Sequence, residues 1–425
     1  MLKASALYMV IIIALVIAVI CSSLIVTAYF YRLQNQKMFR YTRLLNNVSS
    51  GVNILLAGQD TSYTERTMSL FNGDEDSVTL KRIAWGIYDI GVSSAFTQHD
   101  TLYKVFSIGY TIDSTKWAAL YVADDQRPIG LSGNTTINGD AYIPVAGINA
   151  AYADGKYYNG DKRLIIGIKH NSEKVLPALQ DKRLGLLEQY FNANNPVDTA
   201  GLKQDSLFNS FLSPVKYISF GKNVSTISHT HLSGNIILLS DTLLNIDSTA
   251  SLNNVLVFAK SIVVRSGFKG TCQFFATDSI SIGGNCVFNY PSCLGVLGFK
   301  NTMANIPTSI RIGSKTQFSG TIFTYQKTAA ASVNTAINNV IDIGKHVKIH
   351  GQVYSSNTAS LKDSCEIDGS VFSSQFLYKT SYTMYVNYLI NVKMDEKALS
   401  PYFLGSELLP VAGKKKKVLQ WLEQK

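Results

Sequence analysis

Gly344-Lys-His-Val-Lys-Ile-His-Gly-Gln-Val-Tyr-Ser-Ser356 and Lys362-Asp-Ser-Cys-Glu-Ile-Asp-Gly-Ser-Val-Phe-Ser-Ser374 are two copies of one sequence pattern. Ile349 to Ser356 aligns with Ile367 to Ser374 at a shift of 18 residues, and Ile310 to Phe323 aligns with Ile341 to Tyr354 at a shift of 31. The same frame runs upstream through Ile246, Val264 and Ile282 at steps of 18, then through Ile312, Ile343 and Leu361. Ten residues beyond five of these positions stand Leu256, Phe274, Ile322, Val353 and Val371. Phe288 and Phe318 share a station with Ile349 and Ile367.

Apolar residues two apart, in short runs broken by Gly, Asn, Asp or Ser, put alternate side chains on one strand face. A period near 18 closes one coil, and coils stacked about 4.8 Å apart pair each strand with the one above. The pattern predicts a mainly β protein, a β-solenoid of roughly 18-residue rungs, with Ile, Val and Leu in inward ladders and Gly at corners. The longer steps of 30 and 31 predict loops leaving the coil at about 301–308 and 327–339. Leu131 to Tyr142 repeats the spacing and reads as an early rung. The expected divisions are an anchor and stalk at 1–58, a strand-rich cap at 59–130, an early rung at 131–145, an insertion at 146–231, the solenoid at 232–376, and a C-terminal region with a basic tail at 377–425. Within the insertion, 173–185 reads as helical and Asn192 to Pro196 as a breaker.

Between Lys3 and Arg32, the 28 residues from Ala4 to Tyr31 carry no charge. At about 1.5 Å per residue, a helix of this length exceeds a hydrocarbon core of about 30 Å. Tyr29, Phe30 and Tyr31, followed by Arg32, form an aromatic and basic flank suited to an interface. The run is too long for the apolar region of a cleaved secretory signal and reads as a retained transmembrane helix. Leu33, Phe39, Tyr41, Leu44, Leu45, Val48, Val52 and Leu55 recur at mostly helical steps and extend the helix to about Leu56.

A short basic leader before a helix that is first apolar and then amphipathic resembles the type IV pilins and pseudopilins, minor pilins included. The resemblance is carried by Lys3-Ala-Ser-Ala-Leu7 and the run to Tyr31, although no Gly precedes the usual cleavage point and no Glu holds the fifth mature position. It implies export of the body and packing of the helix among similar helices. The rungs Ile-x-Ile-Gly and Ile-x-Gly-x-Val-Tyr/Phe resemble the bactofilin-like, polymer-forming β-helix families, which implies a rigid scaffold able to self-associate.

Five cysteines with no Cys-x-x-Cys pair exclude a zinc-ribbon framework. Cys21 lies in the span. Cys272, Cys286, Cys293 and Cys365 read first as small inward hydrophobes, with a disulfide among Cys272, Cys286 and Cys293 as the alternative in an exported body. His229 and His231 share a strand face but lack a third ligand. Asp363, Glu366 and Asp368 gather on the last rung and read as solvated turn acids. No nucleophile-elbow, zincin, phosphate-loop or dinucleotide signature is present. No metal or cofactor is expected.

The formal charge of +10 sits at the ends. Residues 1–57 hold five positive charges and no negative one, and residues 410–425 hold five positive and one negative, so the body carries only +1. Nucleic-acid binding is not expected. The Lys414–Lys417 run reads as a flexible basic tail, or as a contact for an anionic surface. The expectation is a non-enzymatic, membrane-anchored envelope protein, either a pilin-like subunit or a β-solenoid scaffold or adhesin. Its partners would be the membrane and other proteins or copies of itself, and its body periplasmic or extracellular. A membrane-anchored polysaccharide-active enzyme and a scaffold facing the cytoplasm, which the positive-inside rule permits, are the alternatives.

Overall fold

The computed structural model describes residues 3–58, 62–70, 76–97, 100–192, 205–299, 308–327 and 340–424. Nearly all of the two expected loops at 301–308 and 327–339 falls outside these residues, as does the breaker beyond Asn192. The chain is mainly β behind one long N-terminal helix, and it divides into two compact units.

The first unit comprises Met1–Arg82, Gly91–Val105 and Leu422–Lys425. Helix α1 runs from Lys3 to Ala57. Its last turns bury Leu44, Val48 and Val52, of which Leu44 and Val48 pack against Val78, Leu80 and Ala95. Ser93 fastens the contact by donating from Oγ to the Val48 carbonyl at 3.0 Å. Gly51 permits it, because a Cβ there would stand 2.2 Å from Ser93 Oγ and 2.8 Å from Leu80 Cδ2. Arg66–Met68, Asp76–Trp85, Tyr88–Thr97, Asp100–Ile112 and Ala412–Gln424 form a five-stranded sheet in that order, of which residues 83–90, 106–112 and 412–421 are counted with the second unit.

The second unit, Ile83–Ile90 with Phe106–Trp421, is built on a parallel stack whose strands join in one closed hydrogen-bonded array. The register follows the sequence period. Ile246 pairs with Val264, Val264 with Ile282, Ile282 with Ile312, Ile312 with Ile343, and Ile343 with Leu361. All six lie in one buried cluster; at about 1.5–3 kcal/mol for each large aliphatic side chain buried, such ladders dominate the stack's stability. Phe288, Phe318, Ile349 and Ile367 form a second ladder.

Leu256 departs from its expected station. Val257 stands against Phe274, and the ladder continues from there through Leu294, Ile322, Val353 and Val371. Asn254, at φ 54°, falls where the pairing with the next strand shifts register between Asn253 and Val255. This extra residue moves the inward position on by one. Leu256 is buried but pairs with Ile237 and Gln273.

The expected early rung lies at the far end of the stack. Thr136–Asn138 pairs with Lys393–Asp395, which pairs with Cys365–Asp368, and Leu120–Val122 pairs with Val371–Ser373. The opposite end is covered by Ser206–Asn209, Lys216–Ser219 and Ser225–Ile227, all paired in parallel with His231–Ile246.

Two local expectations are corrected. Helix α2 spans Asp181–Asn192, whereas 173–180 is not helical; Pro177 disfavours helix across this segment. The Lys414–Lys417 run is no loose tail. It lies in strand Ala412–Gln424, where Trp421 packs edge-on to Phe106 at 5.5 Å and Ser107 and Thr111 donate to the Gln420 and Lys415 carbonyls. As the last strand in the sheet order, it carries lysines where charge discourages further strand pairing.

Candidate assembly and binding surfaces

The first surface is helix α1. From Leu7 to Tyr31 its large apolar side chains are exposed, as is Phe39 beyond them, with Tyr31 at 68% and Phe39 at 73%. It is, among the described residues, the one helix long and apolar enough to cross a membrane. Ala4 lies in its first turn, Tyr31 and Arg32 follow the apolar run, and Cys21 is exposed within it. Thr27 Oγ1 donates to the Ser23 carbonyl at 2.8 Å, so this span hydroxyl is satisfied within its own helix.

The second is an aromatic column on the outside of the stack, one residue past the inward ladder. Phe258, Phe275, Gly295, Phe323, Tyr354, Phe372, Tyr121, Tyr142 and His170 stand at successive paired positions. Phe258 and Phe275 stack at 4.9 Å, Tyr121 meets Phe372 at 5.0 Å and Tyr142 at 5.1 Å, and Tyr142 meets His170 at 4.7 Å. Residues 172–192 lie along this column and bury most of it. The Glu173 N–H donates to Tyr121 Oη, Tyr354 Oη donates to the Pro177 carbonyl at 2.9 Å, and Tyr190 stacks on Phe258 at 4.7 Å. Burial pushes the Tyr354 hydroxyl up to about 12. The alternating Val-Tyr and Val-Phe pairs in the rungs signalled this column; nothing in the sequence identified its cover.

The cover is held by a buried ion cluster. Arg183 on α2 is fully buried and reaches Asp89 at 2.9 Å, the Tyr88 carbonyl at 3.0 Å and Glu407, to which Tyr110 Oη also donates at 2.6 Å.

The last-rung acids each have a basic partner. Asp363 meets Lys156 at 2.9 Å, Glu366 meets Lys393 at 2.6 Å and Lys348 at 3.3 Å, and Asp368 meets His350 at 3.0 Å. The Lys393 hydrogen bond holds the Glu366 carboxyl below its ordinary range. His229 and His231 lie apart from these acids in sequence, His229 at φ 53° and His231 opening a strand. Among the described residues no group of three or more His, Cys, Asp or Glu is placed to hold a metal ion. Cys272, Cys286, Cys293 and Cys365 are buried free thiols. Burial raises all four, Cys365 to about 12, which suppresses the thiolate and its reactivity.

Glu396 was not singled out by sequence. It sits beside Gly139 and Asp140, and burial, then the charge on Asp140, pushes its carboxyl up to about 7. The folded state therefore holds this proton to higher pH than the unfolded chain does. The Glu396 contribution is complete below the ordinary carboxyl range and is lost as pH rises through about 7. Glu396→Gln is expected to flatten the fall in melting temperature between pH 5 and pH 8; an unchanged profile would refute the assignment.

No protein-family model and no curated protein matches the chain. Among solved structures, the crystal structure of the competence-associated pilin ComZ from Thermus thermophilus matches at 11% identity, with a TM-score of 0.28. The match covers 92% of this chain and 95% of that one.

Proposed function

We propose that this protein is a non-enzymatic, membrane-anchored envelope protein of pilin-like type: α1 anchors and assembles it, and a β-solenoid body is displayed outside the cytoplasm. The observation that carries this reading is the division of α1. Its first half exposes an uncharged, mostly apolar surface from Leu7 to Tyr31, while Leu44, Val48 and Val52 are buried in its own unit. A helix apolar all round and unpacked on its own protein needs lipid or other helices around it. The 18-residue parallel register supports the solenoid, and the base paired with each last-rung acid supports a structural role for that face.

An arginine at the centre of a span costs about 2.5–3.5 kcal/mol on insertion scales. Ile13→Arg combined with Ile17→Arg is expected to release the protein from carbonate-washed membranes, while wild type stays in the pellet. Protease added to intact cells is expected to cleave the body. A body protected until the cells are lysed would overturn export and favour the scaffold facing the cytoplasm.

A further inference from the structure

The hairpin Tyr152-Ala-Asp-Gly-Lys-Tyr157 presents an aromatic surface that neither the stack nor α1 uses. Asp154 at φ 49° and Gly155 at φ 74° form the two-residue turn with both central residues at positive φ, for which Asp-Gly is a preferred sequence. Ala153 and Lys156 exchange both backbone hydrogen bonds, at 3.1 and 3.0 Å. The flanking residues Tyr152 and Tyr157 therefore face one another, with ring centroids 4.6 Å apart and planes tilted by 45°. Tyr152 is 58% exposed and Tyr157 72%.

The hairpin is tied down from beneath. Ser132 Oγ donates to the Lys156 carbonyl at 2.8 Å, and Lys156 Nζ contacts both Asp363 carboxylate oxygens, at 3.0 and 2.9 Å. Tyr378 Oη donates to Asp154 Oδ2 at 3.1 Å, and the Asp154 N–H donates to Tyr385 Oη at 3.2 Å. Tyr385 in turn packs against Tyr388 at 5.4 Å. Two exposed rings are thus fixed on a rigid mount, the arrangement that lowers the entropy cost of binding.

We propose that Tyr152 and Tyr157 form a binding site for a neutral glycan. The surroundings select this ligand class. Aromatic planes offer apolar faces to the C–H side of a sugar ring, while their hydroxyls and the Asp154 carboxylate meet sugar hydroxyls. A protein interface needs a far broader packed area than two rings bordered by Asp154, Lys156 and Asn159. Lys156 is paired with Asp363 and the hairpin's own Asp154 adds a carboxylate, so a polyanion is not favoured. The site lies wholly on the body and is independent of how α1 assembles.

The test uses the full chain in phosphatidylcholine nanodiscs, free of sugar detergents. It is titrated calorimetrically with neutral hexasaccharides of β-1,4-linked glucose, β-1,4-linked N-acetylglucosamine and α-1,4-linked glucose. Saturable binding to at least one is expected. Tyr152→Ala and Tyr157→Ala are each expected to weaken it about tenfold, whereas Tyr152→Phe and Tyr157→Phe keep most of the affinity. Tyr402→Ala, which removes an exposed ring elsewhere, is expected to leave binding unchanged, and melting temperatures verify that every variant is folded. Absence of saturable binding to all three sugars overturns the proposal. So does binding that survives both alanine substitutions, or a site that takes heparin or duplex DNA in place of the neutral sugars.

Discussion

Gly351→Ala is expected to destabilise the stack strongly. Gly320, Gly351 and Gly369 pair in one column at φ 143°, 145° and 145°, a region nearly closed to residues with a side chain. A Cβ at Gly351 would lie 2.0 Å from the Gly320 carbonyl oxygen, and one at Gly369 would lie 1.9 Å from that of Gly351. Backbone, rather than a movable side chain, occupies the space, so the paired strands must part to admit a single methyl group. Together the strain and the clash are expected to cost about 3 kcal/mol or more. The measurement is equilibrium unfolding, with Gly185→Ala as the comparison. Gly185 sits in α2 with nothing within 4 Å of its added Cβ, and there alanine is expected to be neutral or to stabilise by about 0.5–1 kcal/mol. Equal stability of the two variants would sink the close-approach account.

Arg183→Ala is the second large effect. Its guanidinium has no exposed surface and lies between Asp89 and Glu407. Removing it takes a buried cation away from buried Asp89 and from the partly exposed Glu407, expected to cost about 3–5 kcal/mol. Replacing all three charges, as Asp89→Leu with Arg183→Met and Glu407→Leu, removes both acids along with the cation and is expected to recover most of the loss. Because α2 and the segment before it cover the aromatic column, the single variant is also expected to raise hydrogen exchange across 172–192 before the inward ladders loosen. Uniform exchange throughout the stack would show that the cluster does not govern the cover.

The inward ladders were readable because each rung repeats one local rule, apolar residues at fixed intervals. The misplacement of Leu256 shows the limit of such counting. Asn254 adds a residue without changing the texture, and only pairing with the neighbouring strands reveals it. Pairing of Leu120–Val122 with Val371–Ser373 left no periodic trace, since it joins segments far apart in sequence. The lysine strand was obscured by composition: four consecutive charges outweigh an alternation carried by Leu419 and Trp421. The aromatic column was half legible, because exposed and covered Val-Tyr pairs look alike until the covering chain is placed. Of the tyrosine hairpin, the Asp-Gly turn was the one readable signal. The positions of Tyr378 and Tyr385 beneath it depend on the stack.

The far-end pairing also imposes an order in time. Leu120–Val122 leaves the ribosome about 250 residues before the strand it joins, a wait of roughly 12–50 s at about 5–20 residues per second. Thr136–Asn138 waits longer still, for Lys393–Asp395. Throughout that interval these strands have unsatisfied edges, while the strands from His231 onward can pair with one another as they emerge. The middle of the body is therefore free to form before its N-terminal third has a place to go. Losing residues 393–425 from synthesis would orphan Thr136–Asn138, made long before them.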